Sequence, residues 1–301
     1  MTSTTQTILD RFQVRKTKKQ KSEFIEWVEP VVRAQGYDVH IEKGNFARNI
    51  VIGDVEKAKV IFTAHYDTCA VMPFPNFITP KSIPIYIIYQ FVITFAIFFV
   101  ALTLSVLARF LVPELAGLVT LITLYGILGL MLFGPANRHT VNDNTSGVTA
   151  VLDLIQAMPE ELKDKAAFVL FDLEEAGLLG SAAFASKHKK VMKDKLLVNL
   201  DCVSDGETML FCFRKKSKQD EPLFRACFPD DHRIHSEFVS KGYVYPSDQA
   251  SFPRGVGVAA LLKTKRGLLY MDKIHTPKDL VYREENIAYL VDGCIRLTEK
   301  V

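Results

Sequence analysis

The sequence predicts an α/β fold, a three-layer sandwich with a mostly parallel central sheet, interrupted by a two-helix transmembrane hairpin. Three observations predict it. Short apolar strand patterns alternate with helical ones, acids and histidines cluster where strands end, and two long uncharged runs lie side by side. The chain has 301 residues, 49% hydrophobic and 24% charged, so general disorder is excluded. Lys and Arg number 37 against 34 Asp and Glu, a balance without the basic excess of a nucleic-acid binder. A mean hydropathy of +0.12 is high for this share of charge, and the apolar residues prove to be concentrated.

Residues 1–22 are polar and basic (Arg11, Arg15, Lys16, Lys18, Lys19, Lys21) and read as a basic tail with no signal peptide. Residues 22–35 form an amphipathic helix around Phe24, Trp27, Val28 and Val31, which Pro30 bends or shortens. Residues 49–54 and 59–64 read as strands joined by a tight turn. Residues 82–108 and 115–137 then carry no charge, and each run is long enough to cross a hydrocarbon core of about 30 Å. Their apolar residues occupy every face, which leaves no side suited to water. Arg109-Phe-Leu-Val-Pro-Glu114 between them suits the tip of an antiparallel hairpin. The alternative is a buried hairpin, such as a dimer arm covered by a second copy. Basic residues flank the open side (the tail, Lys81, Arg138), and the positive-inside rule puts that side in the cytosol.

Beyond the hairpin, helices are expected at 146–157, 176–188 and 284–299. Strands are expected at 166–173, 196–200, 209–213, 256–263 and 267–271. The hairpin (82–135) is thus an insertion in one domain made of 1–81 and 136–301, about 245 residues, a size usual for such folds. Five cysteines (Cys69, Cys202, Cys212, Cys227, Cys294) without a CxxC pair argue against a disulfide framework or a thiolate metal site and agree with a reducing compartment.

Strand ends deliver His65-Tyr66-Asp67, Glu174-Glu175 and Asp201 to one sheet edge, where open α/β sheets bind ligands. Two loops complete the cluster, Asn142-Asp143-Asn144-Thr145-Ser146-Gly147 and His275-Thr276-Pro277. Imidazoles and carboxylates without thiolate suit a catalytic zinc site with open coordination. Singly, each residue has a plainer role. Asp143 or Asn144 fits a helix N-cap, Glu174-Glu175 a solvated pair at a helix start, and His275 a packing or surface histidine. His40, His139, His188, His232 and His235 stand in no comparable context.

The ordered series His65-x-Asp67, Asn142-Asp143-Asn144-x-Ser146-Gly147, Glu174-Glu175-x-Gly177-Leu178-x-Gly180-Ser181, Asp201 and His275-Thr276-Pro277-x-Asp279 resembles the co-catalytic zinc aminopeptidases and their glutamate-carboxypeptidase-type relatives. The resemblance implies two Zn²⁺ ions, replaceable by Co²⁺ or Mn²⁺, and a peptide substrate. His65, Asp143 and Asp201 would hold one ion and Asp143, Glu175 and His275 the other, with Asp143 bridging. Glu174 would be the general base, and Asp67 would fix the tautomer and orientation of His65. The reading is a membrane-anchored di-zinc exopeptidase, an aminopeptidase before a carboxypeptidase. The alternatives are a related zinc acyltransferase that cyclises N-terminal glutamine, and a non-catalytic scaffold that kept the fold. Two departures stand out. Gln249, in Ser247-Asp248-Gln249-Ala250-Ser251-Phe252, occupies a position where relatives carry a histidine or aromatic, which bears on substrate preference. The hairpin separates His65 and Asp67 from Asp143, so its base should lie near the active-site edge. That placement points to a lipid bilayer as partner and to membrane-associated or apolar peptides as substrates.

Overall fold

The computed structural model describes residues 1–44, 46–72, 74 and 76–301. The chain opens with α1 (Ser3–Arg11) and α2 (Lys18–Arg33), followed by strands β1 (Val39–Gly44), β2 (Ala47–Ile52) and β3 (Val60–His65). Two long helices follow, α3 (Ile83–Leu111) and α4 (Ala116–Phe133), then α5 (Gly147–Ala157), β4 (Ala166–Phe171), α6 (Leu179–Lys187), α7 (Lys189–Met192), β5 (Leu196–Leu200) and β6 (Thr208–Phe213). The chain closes with α8 (Glu221–Cys227), β7 (His235–Val239), β8 (Gly255–Lys263), β9 (Leu269–Tyr270) and α9 (Glu284–Lys300).

The strands form one sheet in the order β1-β2-β4-β3-β5-β8-β6-β7, with β9 beside β8. The central run β4-β3-β5-β8 is parallel throughout, while β1-β2, β2-β4, β6-β8 and β8-β9 are antiparallel. The parallel strands are buried on both faces, which is why they read as continuous apolar runs. Alternation still assigns their faces. Val60, Phe62, Phe168 and Leu170 meet the layer that includes α1, α2, α5 and α9, while Ile61, Val169 and Phe171 meet Phe184 of α6 on the other side.

Two expectations change. The strands expected at 49–54 and 59–64 do form, as β2 and β3, and Asp54 closes the turn between them by accepting from the amides of Glu56 and Lys57. They are not neighbours, however, because β4 lies between them. A turn signal fixes local reversal, and only the later strand decides pairing. The N-terminal residues are also no tail. Thr17 caps α2 in a reciprocal box with Gln20, and Ile8 and Phe12 enter the core. Arg15 is fully buried; its guanidinium lies over the Phe24 ring and donates to the carbonyls of Tyr66 and Phe12. Lys21 pairs with Asp172 at 2.6 Å inside the protein. Tyr66 and Asp172 lie 51 and 151 residues along the chain from Arg15 and Lys21, so the basic run reads as a tail in sequence.

The helices α3 and α4 pack on each other and leave the remaining surface apolar. Ala101 is the one residue buried in α3, and α4 has none. Phe91, Phe95, Phe110 and Phe133 are 70–85% exposed. At 29 residues α3 is ~44 Å long at about 1.5 Å per residue. Both helices are long and apolar enough to cross a membrane. At the base, Ala70 bridges Ala136, Ile78 bridges Met271, and the Val244 amide donates to the Pro80 carbonyl.

Candidate metal centre

The carboxyl ends of β3, β4 and β5 open into a cleft of about 470 Å³ lined by His65, Asp143, Glu174, Glu175, Asp201 and His275. All the residues singled out in the sequence as ligands or base therefore share one cavity wall. His65 ends β3, and its Nε2 lies 3.3 Å from Asp143 Oδ1 and 3.4 Å from Asp201 Oδ1. His275 Nε2 lies 2.9 Å from Asp143 Oδ2 and 3.3 Å from Glu175 Oε2. Asp143 thus turns one oxygen to each imidazole. The ligand atoms of His65, Glu174 and Glu175 also fall within 4.8 Å of one another, as do those of Cys69, Glu175 and His275.

Main-chain amides hold these side chains. Asp279 accepts from the amides of Asn142 (2.7 Å) and Asp143 (2.9 Å). Asn144 ties the same loop to the end of β5, accepting from the Gly147 and Cys202 amides and donating to the Leu200 carbonyl. The approach is so close that a Cβ on Gly147 would stand 2.2 Å from the Leu200 carbonyl oxygen. Asn142 accepts from the amides of Ser204 and Asp205. Asp67 lies against His65 and also holds a second segment. Its carbonyl lies 3.1 Å from His65 Nδ1 while its carboxylate is 3.6 Å away. That carboxylate accepts from the amides of Glu174 (3.0 Å) and Glu175 (3.2 Å), and so fastens the loop after β4.

The electrostatics are those of acids crowded in a dry place. Burial pushes Glu174 well above the carboxylate range; His65 opposes this, and Asp201, Asp248 and Glu175 add to it. Burial raises Glu175 to about 8 against the pull of His275. Burial works against the charge on Asp143 too, yet His275 and His65 hold it below its ordinary value. The imidazoles respond in turn. Burial disfavours their charge, but Glu174 and three aspartates raise His65, and Glu175 and Asp143 raise His275 to about 9.

The donor set fits divalent metal. Ligands about 2.0 Å from a tetrahedral ion lie ~3.3 Å apart, close to the spacings above. Among the described residues Glu175 Oε1 and His275 Nδ1 are buried without a hydrogen-bond partner, and a concentration of buried carboxylates calls for a cation.

Sequence reasoning did not single out several groups near the site. Tyr86, from the first turn of α3, lines the cleft with Asn76, Ile78, Tyr245, Met271 and Ile274. Cys69 lies beside Glu175 and His275, although burial pushes its thiol up. Gln249, whose segment was expected near the substrate pocket, turns inward, donating to the Tyr245 carbonyl and accepting from Asn199. His188 is occupied by Glu42, away from the cleft.

Comparison with known proteins accords with this geometry. The chain superposes on a Zn-dependent exopeptidase from Parabacteroides distasonis with a TM-score of 0.60 at 13% identity, covering 98% of this chain and 94% of that one. A leucine aminopeptidase precursor from Bacteroides thetaiotaomicron gives 0.58 at 14% identity, with 99% and 94% covered. A glutaminyl cyclase from Porphyromonas gingivalis gives 0.58 at 15%, with 98% and 95% covered. At such identities the likeness is one of fold. No curated protein matches in sequence. The model for peptidase family M28 matches residues 128–288, more than half of the chain and the stretch that carries Asp143, Glu174, Glu175, Asp201 and His275, and the chain belongs to that family.

Proposed function

We propose that this protein is a membrane-anchored di-zinc exopeptidase, an aminopeptidase, with Glu174 as general base. The observation that carries the reading is the pair of imidazoles facing opposite oxygens of Asp143, with Glu174 beside them. His65, Asp143 and Asp201 would hold one ion, and Asp143, Glu175 and His275 the other. When bound, such ions supply Lewis acidity that brings the pKa of water from about 16 towards 7.

The chain's own groups do the rest. Glu174, which faces the cleft beside His65 and Glu175, takes the proton of the attacking water and passes it to the leaving amine. Asp67 keeps Glu174 in place through its amide, while its carbonyl orients His65. The apolar wall of Ile78, Tyr86, Met271 and Ile274 suits an apolar side chain of the substrate. The exposed hairpin supports bilayer anchoring, and Tyr86 at its base brings the cleft close to the lipid surface. Membrane-associated or apolar peptides are the substrates this arrangement favours, and basic Lys81 and Arg138 at the base support a cytoplasmic catalytic domain.

The test is product analysis of a peptide library digested by detergent-purified protein. Peptides shortened from the amino end, a loss with chelator, and a fall in kcat of about 10²–10⁴-fold in Glu174→Gln with metal still bound are expected. Full activity in that variant overturns the role of Glu174. Products that retain their length but lose ammonia convert the reading to a cyclase.

A further inference from the structure

A second feature lies at the base of the hairpin, away from the cleft. Lys16, Lys18, Lys21, Lys43, Arg48 and Phe46 line one surface depression, and no acid is among its lining residues. Lys18 and Lys43 are exposed, and among the described residues no carboxylate partner is recorded for either. Arg48 is fastened by Ser22 Oγ at 2.7 Å and the Lys18 carbonyl at 3.1 Å, which keeps its charge beside those of the lysines. Lys21 is committed to Asp172 and contributes little outward charge.

Phe46 makes the depression unusual. It stands in the turn between β1 and β2, is 98% exposed, and has a backbone φ of 68°, a region that disfavours bulky residues. A phenyl ring in that conformation, facing solvent, contributes nothing to the core. Lys16, which lines the same depression, reaches the hairpin: its Nζ lies 2.7 Å from the carbonyl of Leu132, the residue before the last of α4. The depression therefore lies where the apolar helix ends and a headgroup layer would begin.

We propose that Phe46 and the surrounding Lys16, Lys18, Lys43 and Arg48 form an anionic-lipid contact that presses the catalytic domain onto the bilayer surface. This inference rests on the reading of α3 and α4 as membrane-spanning. The chemistry is complementary: the ring enters the interface, where aromatic side chains are favoured, and the cations meet the phosphates and carboxylates of acidic lipids. A free protein partner with an acidic surface would satisfy the charges but would leave the link to the end of α4 without purpose. The contact adds to the hairpin a second point of attachment, which restricts the tilt of the domain.

The test uses the full chain in lipid nanodiscs. Because the five native cysteines are buried, the variant Phe46→Cys can be labelled selectively with an environment-sensitive nitrobenzoxadiazole dye. In nanodiscs containing phosphatidylserine the dye emission should shift to the blue and be quenched by spin-labelled lipid. Both effects should be lost in Lys18→Glu/Lys43→Glu and absent in pure phosphatidylcholine. Water-like emission in phosphatidylserine from protein that resists carbonate extraction overturns the lipid contact alone. Extraction of the wild-type protein by carbonate overturns the anchoring and this contact together. A blue shift produced by inorganic phosphate in phosphatidylcholine nanodiscs also overturns it, by identifying a phosphate pocket instead.

Discussion

The central strands and the hairpin helices are built from the same kinds of residue and meet opposite surroundings. Phe168 on β4 is fully enclosed, stacked on Phe62 at 5.9 Å and edge-on to Tyr37 at 5.5 Å. Phe91 on α3 is 70% exposed, as are similar residues around most of the helix. Apolar composition therefore does not say where a segment goes. Period and length do: six-residue strands, buried on both faces, fit between helix layers, whereas a largely apolar helix of 29 residues without a polar face has no such place in the fold.

The sharpest way to break this comparison is to remove one ring from each region. Phe168→Ala should cost about 3–5 kcal/mol of stability by cavity formation, read by denaturant unfolding of the catalytic domain in detergent. Phe91→Ala should change the same transition by less than about 0.5 kcal/mol. Equal losses would mean that α3 is covered by protein, for instance by a second copy, and not by lipid. Next in size is Arg15→Ala, which leaves the carbonyls of Tyr66 and Phe12 without their donor and should cost about 2–4 kcal/mol. Because Arg15 also reaches Thr145 in the Asp143 loop at 3.2 Å, metal affinity should fall with stability; metal titration followed by calorimetry checks it. The smallest effect concerns the place where the two regions meet. Tyr86→Ala should raise KM for apolar peptides about tenfold with little change in kcat, the amount expected from losing apolar contact in a pocket. An unchanged KM would separate the hairpin from substrate recognition.

How much of this was legible in the sequence depended on whether a residue acts through its own identity or through the backbone of another segment. His65, Glu174, Glu175 and Asp201 end apolar runs, Asp143 and His275 stand in motif-bearing loops, and the fold gathers all six in one cleft. Asn142, Asn144 and Asp279 belong to the same motifs, but their work is to satisfy main-chain amides some 60 to 140 residues away, which no spacing reveals. Asp67 was legible as a partner of His65, and its grip on the Glu174 and Glu175 amides was not. Among the elements, β1, α1, α7, α8 and β7 went unrecognised. β7 is half-buried with an exposed start, and α8 is a seven-residue helix containing a proline, so neither carries a strong period. The basic N-terminal run misled in the opposite sense, because a buried Arg15 looks the same in sequence as a solvated one.

One topological fact sets the order in which the molecule can be made. Strand β3, which ends at His65, pairs on one side with β4 and on the other with β5, and both lie beyond the hairpin in sequence. During synthesis the first half of the cleft therefore emerges without hydrogen-bond partners, and α3 and α4 leave the ribosome before either neighbour exists. Long-range pairing of this kind is slow and leaves strand edges open while it waits. The hairpin is thus complete in the nascent chain first, and the central sheet assembles afterwards from the two pieces of chain on either side of it. The cleft is therefore complete only once β4 and β5 have joined β3 and the loop that carries His275 has followed them.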